Sequence, residues 1–246
     1  MSHPTDPRIW RESFRVRAYE AGPDQRLTIA SLCNYLQEVA GNHAQALGVS
    51  VTQQPGLTWM LNRLHVRIDR LPVWGDTVTV DTWPSGHNGL LAWREFLVRD
   101  GNGALLVAGA SAWVMIDIER RRPIRLPAFI DAIPLPDAER PIADPFPKRV
   151  PPPVATHAAA FTVYPGDLDP NGHANNVCFA GWALHALPPQ AGALRSLEID
   201  FKAEAHLGDR IVSEAAPSGE SAFAHGLYRE EDGGRRLIGV ARTTFG

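Results

Sequence analysis

The stretch Asp167-Leu168-Asp169-Pro170-Asn171-Gly172-His173-Ala174-Asn175-Asn176 runs directly into an apolar segment that ends at Leu187. Asp, Pro, Asn and Gly over 169–172 spell a turn. The apolar segment behind them predicts a helix over 174–187, stopped by Pro188-Pro189. A helix entered through such a turn presents free backbone N–H groups at its start, where negative charge is favoured. Asp169, Asn171 and His173 fall at alternate positions, and each carries a group able to orient water or hold a proton. Turns collect Asp, Pro, Asn and Gly for conformational reasons alone. A histidine among them makes this stretch a candidate site.

Working outward, residues 157–164 read as a strand before the turn. Strands follow the helix at about 194–204, 209–216, 221–230 and 235–245. The same order appears earlier in the chain. A strand over 8–20 leads to the turn Gly22-Pro23-Asp24, then to a helix over Ile29–Leu47 that stops at Gly48. Leu32, Tyr35, Leu36, Val39, His43, Ala46 and Leu47 form its apolar stripe. Strands at 57–70, 76–83, 89–99 and 104–117 complete the unit, with Asp100-Gly101-Asn102-Gly103 as a hairpin turn. Short identities recur in order: Phe14-Arg15-Val16 with Phe161-Thr162-Val163, and Ile68-Asp69 with Ile199-Asp200. Gly75-Asp76 then matches Gly208-Asp209, and Pro84-Ser85-Gly86 matches Pro217-Ser218-Gly219, both at an offset of 133 residues. The chain therefore reads as an internal duplication of an α+β unit. In each copy an antiparallel sheet wraps one long helix, and the two copies are expected to join edge to edge. Between them, residues 119–155 hold Arg120-Arg121-Arg122 and many prolines, and read as a linker or extended crossing segment. The expected organisation is an N-terminal domain over 1–135, a Pro-rich linker over 136–155 and a C-terminal domain over 156–246.

The 246 residues are 44% hydrophobic, with a net charge of -3, so no global basic field invites nucleic acid. Trp59, Trp74, Trp83, Trp93, Trp113 and Trp182 are read as packing residues. No apolar run is long enough to span a membrane, and a cytoplasmic protein is expected. Cys33 and Cys178 make neither a disulfide framework nor a zinc spacing. A metal could sit where His173, His206 and nearby carboxylates converge, but no tight multi-ligand spacing supports it, so no metal and no cofactor is expected. His43 lies on the helix's apolar stripe and is read as a satisfied core residue.

Aligning the two turns sets Asp24, Arg26 and Thr28 opposite Asp169, Asn171 and His173, and Ala30 opposite Asn175. The first copy has the turn without the chemistry. One site in the C-terminal half is expected, with the first half supplying a wall or pocket. Asn175 and Asn176 belong to the same network or cap the helix. Cys178 follows His173 by five residues, which turns it off the His173 face, and no G-x-S-x-G elbow is present. Glu198, Asp200, Lys202 and Glu204 alternate onto one strand face, which a solvated surface explains. Glu204, at the strand end, is the member best placed to turn inward.

These residues resemble a known family. Residues 167–182 resemble the signature of the acyl-acyl carrier protein thioesterases, the plant-type chain-terminating enzymes and their bacterial relatives. Thr58-Trp59-Met60-Leu61, the segment Arg70-Leu71-Pro72-Val73-Trp74-Gly75-Asp76, Val80-Asp81-Thr82-Trp83 and Ala112-Trp113-Val114-Met115-Ile116-Asp117 look like that family's N-terminal domain. The likeness covers about residues 8–245. It implies two tandem hotdog domains, each a curved antiparallel sheet around a long helix, and hydrolysis of a fatty acyl thioester on the carrier protein's phosphopantetheine arm. It carries the catalytic centre onto Asp169, Asn171 and His173, and onto Glu204 at the end of Ile199-Asp200-Phe201-Lys202-Ala203-Glu204. Plant members usually place a Cys just after that Glu; this chain has Ala205, followed by His206. The departure favours water attack assisted by a carboxylate, Glu204 or Asp169, with Asn171 and His173 orienting and polarising; a transient acyl-enzyme on a carboxylate is the other route left open.

Such a substrate needs an apolar tunnel, for which Tyr35, Leu36, Val39, Trp59 and Met60 are candidates beside ordinary core roles, with Asn175 as a further substrate contact. An acidic carrier protein favours a basic rim, for which Arg120, Arg121, Arg122 and Arg125, with Lys148 and Arg149, are candidates against a plain solvated charge run. An acyl-CoA thioesterase is the nearest alternative activity. A hotdog dehydratase and a non-enzymatic acyl-binding module fit the residues less well. Monomer and homodimer are both compatible with tandem domains.

Overall fold

The computed structural model describes residues 6, 8–143, 149–152, 154–188 and 192–246. Lys148, Pro153 and Pro189 lie outside the described residues. The chain divides into two compact units, Met1–Asn62 with Ile68–Asp144, and Arg63–Arg67 with Pro145–Gly246. In the first unit β1 (Trp10–Arg15) precedes α1 (Ile29–Ala46), followed by β2 (Leu57–Ile68), β3 (Thr77–His87), β4 (Leu91–Asp100), β5 (Leu105–Asp117) and the short β6 (Arg122–Ile124). The strand order is β1-β3-β4-β5-β2, with β6 on β5. The second unit repeats the plan with β7 (His157–Thr162), α2 (Asn176–His185), β8 (Leu194–Phe201), β9 (Arg210–Gly219), β10 (Ala222–Glu231) and β11 (Gly234–Phe245), ordered β8-β11-β10-β9-β7. Residues 63–67 of β2 pair antiparallel with β8, Arg63 opposite Asp200 through Arg67 opposite Ser196, and so cluster with the second unit.

Each helix forms because a capped start meets an apolar face. Thr28 caps α1 by accepting from the Ser31 N–H at 3.1 Å. Ile29, Leu32, Cys33, Leu36, Val39, Ala40 and His43 recur at helical spacing and are buried. The shorter α2 buries Phe179, Ala180, Trp182 and Ala183. Phe179 stacks edge-on to Phe201, with ring centroids 5.2 Å apart. Gly239 of β11 makes this approach possible, since a Cβ there would sit 3.2 Å from Phe179 Cδ1 and 3.1 Å from Leu227 Cδ1.

Two expectations need correction. Within 119–155, read as a linker or extended crossing segment, residues 124–142 pack on the first unit, and those beyond 135 fall in the stretch expected as linker. Ile124, Leu126, Phe129, Ile130 and Ile133 pack with Val49, Met115 and Trp59 in one apolar cluster of the first unit. Farther on, Arg140 donates from Nε to Glu95 Oε1 at 2.8 Å, lies over the Trp93 ring and is followed by buried Ile142. Prolines broke the periodicity that would have revealed these contacts, because extended chain buries its residues one at a time. The polar face of β8 is also not solvated. Glu198 and Asp200 are each only 7% exposed. Arg149 and Arg242 pair with Glu198, while Arg63 and Lys202 pair with Asp200. Burying a carboxylate without such a cation would be strongly unfavourable.

His43 is a core residue, its Nδ1 3.0 Å from Arg94 Nη1 and its ring stacked on Trp10. Burial, then the neighbouring Arg94 charge, pushes it down to about 4. In the second unit His225 is fully buried, its Nε2 is 2.9 Å from Thr243 Oγ1, and burial likewise pushes it down to about 4. The unfolded chain protonates these rings near the ordinary histidine value and the folded chain only near 4, so acid favours unfolding between the two. Stability should therefore fall as pH is lowered from 7 toward 4, by roughly 2–3 kcal/mol for each ring at 1.36 kcal/mol per unit. Urea titrations across that range should show the loss, and a His43→Asn/His225→Asn variant should flatten it.

Candidate active site

The turn ahead of α2 is organised by Asp169. Its Oδ1 accepts the backbone N–H of Asn171 at 2.8 Å and of His173 at 3.1 Å, and its Oδ2 takes a longer contact of 3.4 Å from Asn171 Nδ2. Its own N–H donates to the His173 carbonyl at 2.8 Å. Gly172 closes the turn at φ 78°, a left-handed conformation that glycine adopts without steric cost. Asn175 is the N-cap of α2, with Oδ1 accepting the Val177 N–H at 3.2 Å. Of the two roles expected for Asn175, the helix cap is the one this oxygen fills. The Cys178 thiol donates to the Asp167 carbonyl at 3.6 Å and is pushed up to about 11, mainly by burial, which removes it as a nucleophile.

A second segment, from Glu204 to Asp209, is sewn to this turn through the backbone. Ala174 N–H donates to the Ala205 carbonyl at 2.8 Å, and His173 and His206 form an antiparallel bridge. Bridge partners point to the same face, and so does a residue two positions along an extended segment. Glu204, His206 and His173 therefore converge. His173 Nε2 lies 3.5 Å from Glu204 Oε2, and His206 Nε2 lies 4.0 Å from the same oxygen. The imidazole rings meet edge to face, with centroids 5.0 Å apart. The three side chains are 28%, 37% and 45% exposed in the order His173, Glu204, His206, so solvent reaches the group. Arg229 Nη1 donates to the Glu204 carbonyl at 3.0 Å and lies 3.5 Å from Asp209 Oδ2, which fixes the far side of the segment.

The structure brings His173 to 3.5 Å from Glu204, the partner that the family resemblance implied, and adds His206, Asp209 and Arg229. Position 206 was legible as two residues beyond Glu204; its pairing with His173 was not. Asn171 is exposed, and its side-chain amide faces Asp169. Tyr35, Leu36 and Val39 are buried in the first unit's core. Tyr35 stacks on Phe14 and donates its hydroxyl to Glu20 at 2.7 Å. Trp59 donates from Nε1 to the Val49 carbonyl at 2.8 Å, and Met60 is half-buried. Arg120, Arg121, Arg122 and Arg125 are exposed, with Arg120 paired to Asp117.

The duplication also acquires its true register. The isolated bridges Ala21 to Leu27 and Arg26 to Val73 repeat as Leu168 to Ala174 and His173 to His206. Arg26 therefore matches His173, and Thr28 matches Asn175 as the N-cap, two residues away from the register expected from sequence. With Gly75 matched to Gly208, Leu71 and Val73 stand where Glu204 and His206 stand. The first unit keeps the frame and carries Arg, Leu and Val in place of His, Glu and His.

Comparison with known proteins fits this geometry. The acyl-ACP thioesterase N-terminal domain model matches residues 7–133, and the acyl-ACP thioesterase C-terminal domain model matches residues 153–241. The chain belongs to the acyl-ACP thioesterase family. Members of the family that it resembles include a chloroplastic acyl-[acyl-carrier-protein] hydrolase from Cuphea viscosissima, 33% identical over 95% of this chain. A chloroplastic palmitoyl-acyl carrier protein thioesterase from Cuphea hookeriana is 34% identical over the same share. The chain spans 62% of the length of each of these two relatives. Among solved structures, an acyl-ACP thioesterase from Bacteroides thetaiotaomicron superposes with a TM-score of 0.87 at 26% identity, covering 97% of this chain and 98% of that one. A 12:0-ACP thioesterase from Umbellularia californica gives 0.84 at 26% identity over 98% of both chains. The family assignment and the repeated helix-and-sheet units establish the tandem hotdog architecture.

Because Asp169 spends its carboxylate on the turn, Asp169→Ala should lower the unfolding free energy by about 1–2 kcal/mol, and Asp169→Asn, which keeps an accepting oxygen, should recover most of it. Urea unfolding of the two variants checks this; equal losses would remove the turn-organising role.

Proposed function

We propose that this protein hydrolyses the thioester of a fatty acyl-acyl carrier protein, using Glu204 and His173 as its catalytic pair. The observation that carries the reading is the 3.5 Å approach of His173 Nε2 to Glu204 Oε2, at a position where the first unit has Arg26 and Leu71. Family membership supports this substrate class. Asp169 accepts two backbone N–H groups, whereas Glu204 faces His173 from a partly solvated position, and Glu204 is the carboxylate that acts on water. Glu204 takes a proton as the water oxygen bonds to the thioester carbonyl carbon. His173 holds the water and carboxylate in line. The carbon–sulfur bond then breaks, and the proton passes to the departing pantetheine sulfur. N–H groups at the start of α2 favour the charge that develops on the carbonyl oxygen. Asn171 presents a donor at the rim of the turn.

For the acyl chain, Trp59 and Met60 are the members of the candidate set that are not fully enclosed. The same catalytic pair would serve acyl-CoA, so the carrier has to be tested directly. The exposed arginines at 120, 121, 122 and 125 supply a positive surface that suits an acidic carrier protein.

Glu204→Gln and His173→Ala should each lower kcat for acyl-ACP by about 10²–10⁴ with a small change in KM, as expected for loss of proton-transfer groups. Asp169→Asn should stay within a few fold of the parent rate. Normal turnover in both Glu204→Gln and His173→Ala would overturn the assignment, and ligand binding without any turnover would make the protein an acyl-binding module.

Reversing Arg120, Arg122 and Arg125 to Glu should raise KM for acyl-ACP by roughly tenfold at low salt, with little change at high ionic strength. Acyl-CoA hydrolysis measured beside it should be unaffected. Equal effects on both carriers would remove the arginines from carrier-protein recognition.

A further inference from the structure

The convergence of His173, Glu204 and His206 has a second chemical meaning. Two imidazoles and one carboxylate form the donor set that suits borderline divalent metals such as zinc(II) and cobalt(II), and it suits calcium or magnesium poorly. Three protein ligands with an open fourth position is a common zinc arrangement. With metal–ligand bonds near 2.0–2.2 Å, a tetrahedral ion needs donors about 3.3–3.6 Å apart. Here the Glu204 oxygen lies 3.5 Å from one imidazole nitrogen and 4.0 Å from the other, and one donor atom from each residue falls within a common 4.8 Å. Small side-chain rotations close that gap.

The frame is built before any ion arrives. The His173–His206 bridge and the Ala174-to-Ala205 hydrogen bond hold the two segments together, and the His206 N–H is tied to Asp209 Oδ2 at 2.8 Å. The remote nitrogen of His206 also faces a carboxylate. Its Nδ1 lies 3.8 Å from Asp209 Oδ2, and Asp209 is itself held by Arg229. A metal-ligating histidine ordinarily turns its other ring nitrogen toward a carboxylate, which fixes the ring and strengthens the donor. The first unit provides an internal control. It repeats the same bridge with Arg26 and Val73, and has Leu71 in place of Glu204, so it offers no such donor set.

We propose that His173, Glu204 and His206 form a three-ligand site for one divalent transition metal, with Asp209 orienting His206. Resting on the hydrolytic reading above, occupation of the site suppresses turnover reversibly, because the ion takes the lone pairs that Glu204 and His173 use on water.

The test uses the full chain after chelator treatment. Cobalt(II) should develop the visible absorption of a tetrahedral site and saturate at one equivalent per chain. Calorimetry with zinc(II) should give the same stoichiometry. His206→Ala and the bulkier His206→Gln, each checked for folding by circular dichroism, should weaken zinc binding by more than about tenfold. His185→Ala, on exposed α2 surface, should bind as the parent does. Zinc should reduce acyl-ACP hydrolysis by more than about tenfold relative to each protein's own metal-free rate, with recovery on adding chelator. In folded His206 variants that suppression should need correspondingly more zinc.

No cobalt band and no zinc heat up to about 1 mM, near the weak end of specific affinity, would overturn the site. Binding of undiminished affinity in both His206 variants would overturn it as well. Zinc bound at one equivalent with hydrolysis unchanged would overturn the inhibitory consequence. Cobalt binding by a protein that hydrolyses no acyl-ACP would support the metal site and overturn the hydrolytic reading instead.

Discussion

The antiparallel bridge between His173 and His206, closed by the Ala174-to-Ala205 hydrogen bond, is the constraint on which the site depends. It sews the entrance of α2 to the segment that leaves β8. Without it, Glu204 and His173 would belong to two surface turns free to move apart. With it, His173 shares one face at fixed spacing with Glu204 and His206, which lie in a distant segment of the chain. The same frame exists in the first unit, where Arg26 bridges Val73 and the Leu27 N–H reaches the Pro72 carbonyl. The frame is therefore a property of the fold, and the chemistry is a choice of side chains placed on it.

A division of labour among the carboxylates follows from where each oxygen finds its donors. Asp169 meets two backbone N–H groups and becomes the organiser of its turn. Asp209 caps the His206 segment and meets Arg229. Glu198 and Asp200 are buried against arginines and a lysine and serve the sheet. Glu204 alone among these faces both imidazoles from a partly solvated position. Residue type does not distinguish these roles, since all are acids near one strand. Partner and exposure do.

Much of the fold was legible in the chain. The stripe from Leu32 to His43 predicts α1, Asp100-Gly101-Asn102-Gly103 predicts the β4–β5 hairpin, and the ordered identities predict the repeat. What escaped had a common cause. Residues 122–143 bury Ile130 and Ile142 and half-bury Ile124, Leu126 and Phe129 one by one along proline-broken chain, which leaves no period to detect. Glu198 and Asp200 alternate as a solvated face would, and only the cations brought by distant segments reveal them as buried. The repeat was read two residues out of register because alignment on Asp24 and Asp169 matched letters. The bridges match Arg26 to His173 by hydrogen bonding instead.

By itself, the sequence determined the two-unit α+β plan, the turn before α2, and the candidacy of Asp169, Asn171, His173 and Glu204. These follow from local causes: turn chemistry, helix periodicity, strand alternation and a family pattern carried by contiguous residues. Tertiary structure alone decided which acid faces His173, that Asp169 and Asn175 spend their oxygens on the backbone, and that His206 joins the group. Each of those outcomes depends on a hydrogen bond or bridge between segments far apart in the chain, and spacing along one segment carries no information about such a meeting.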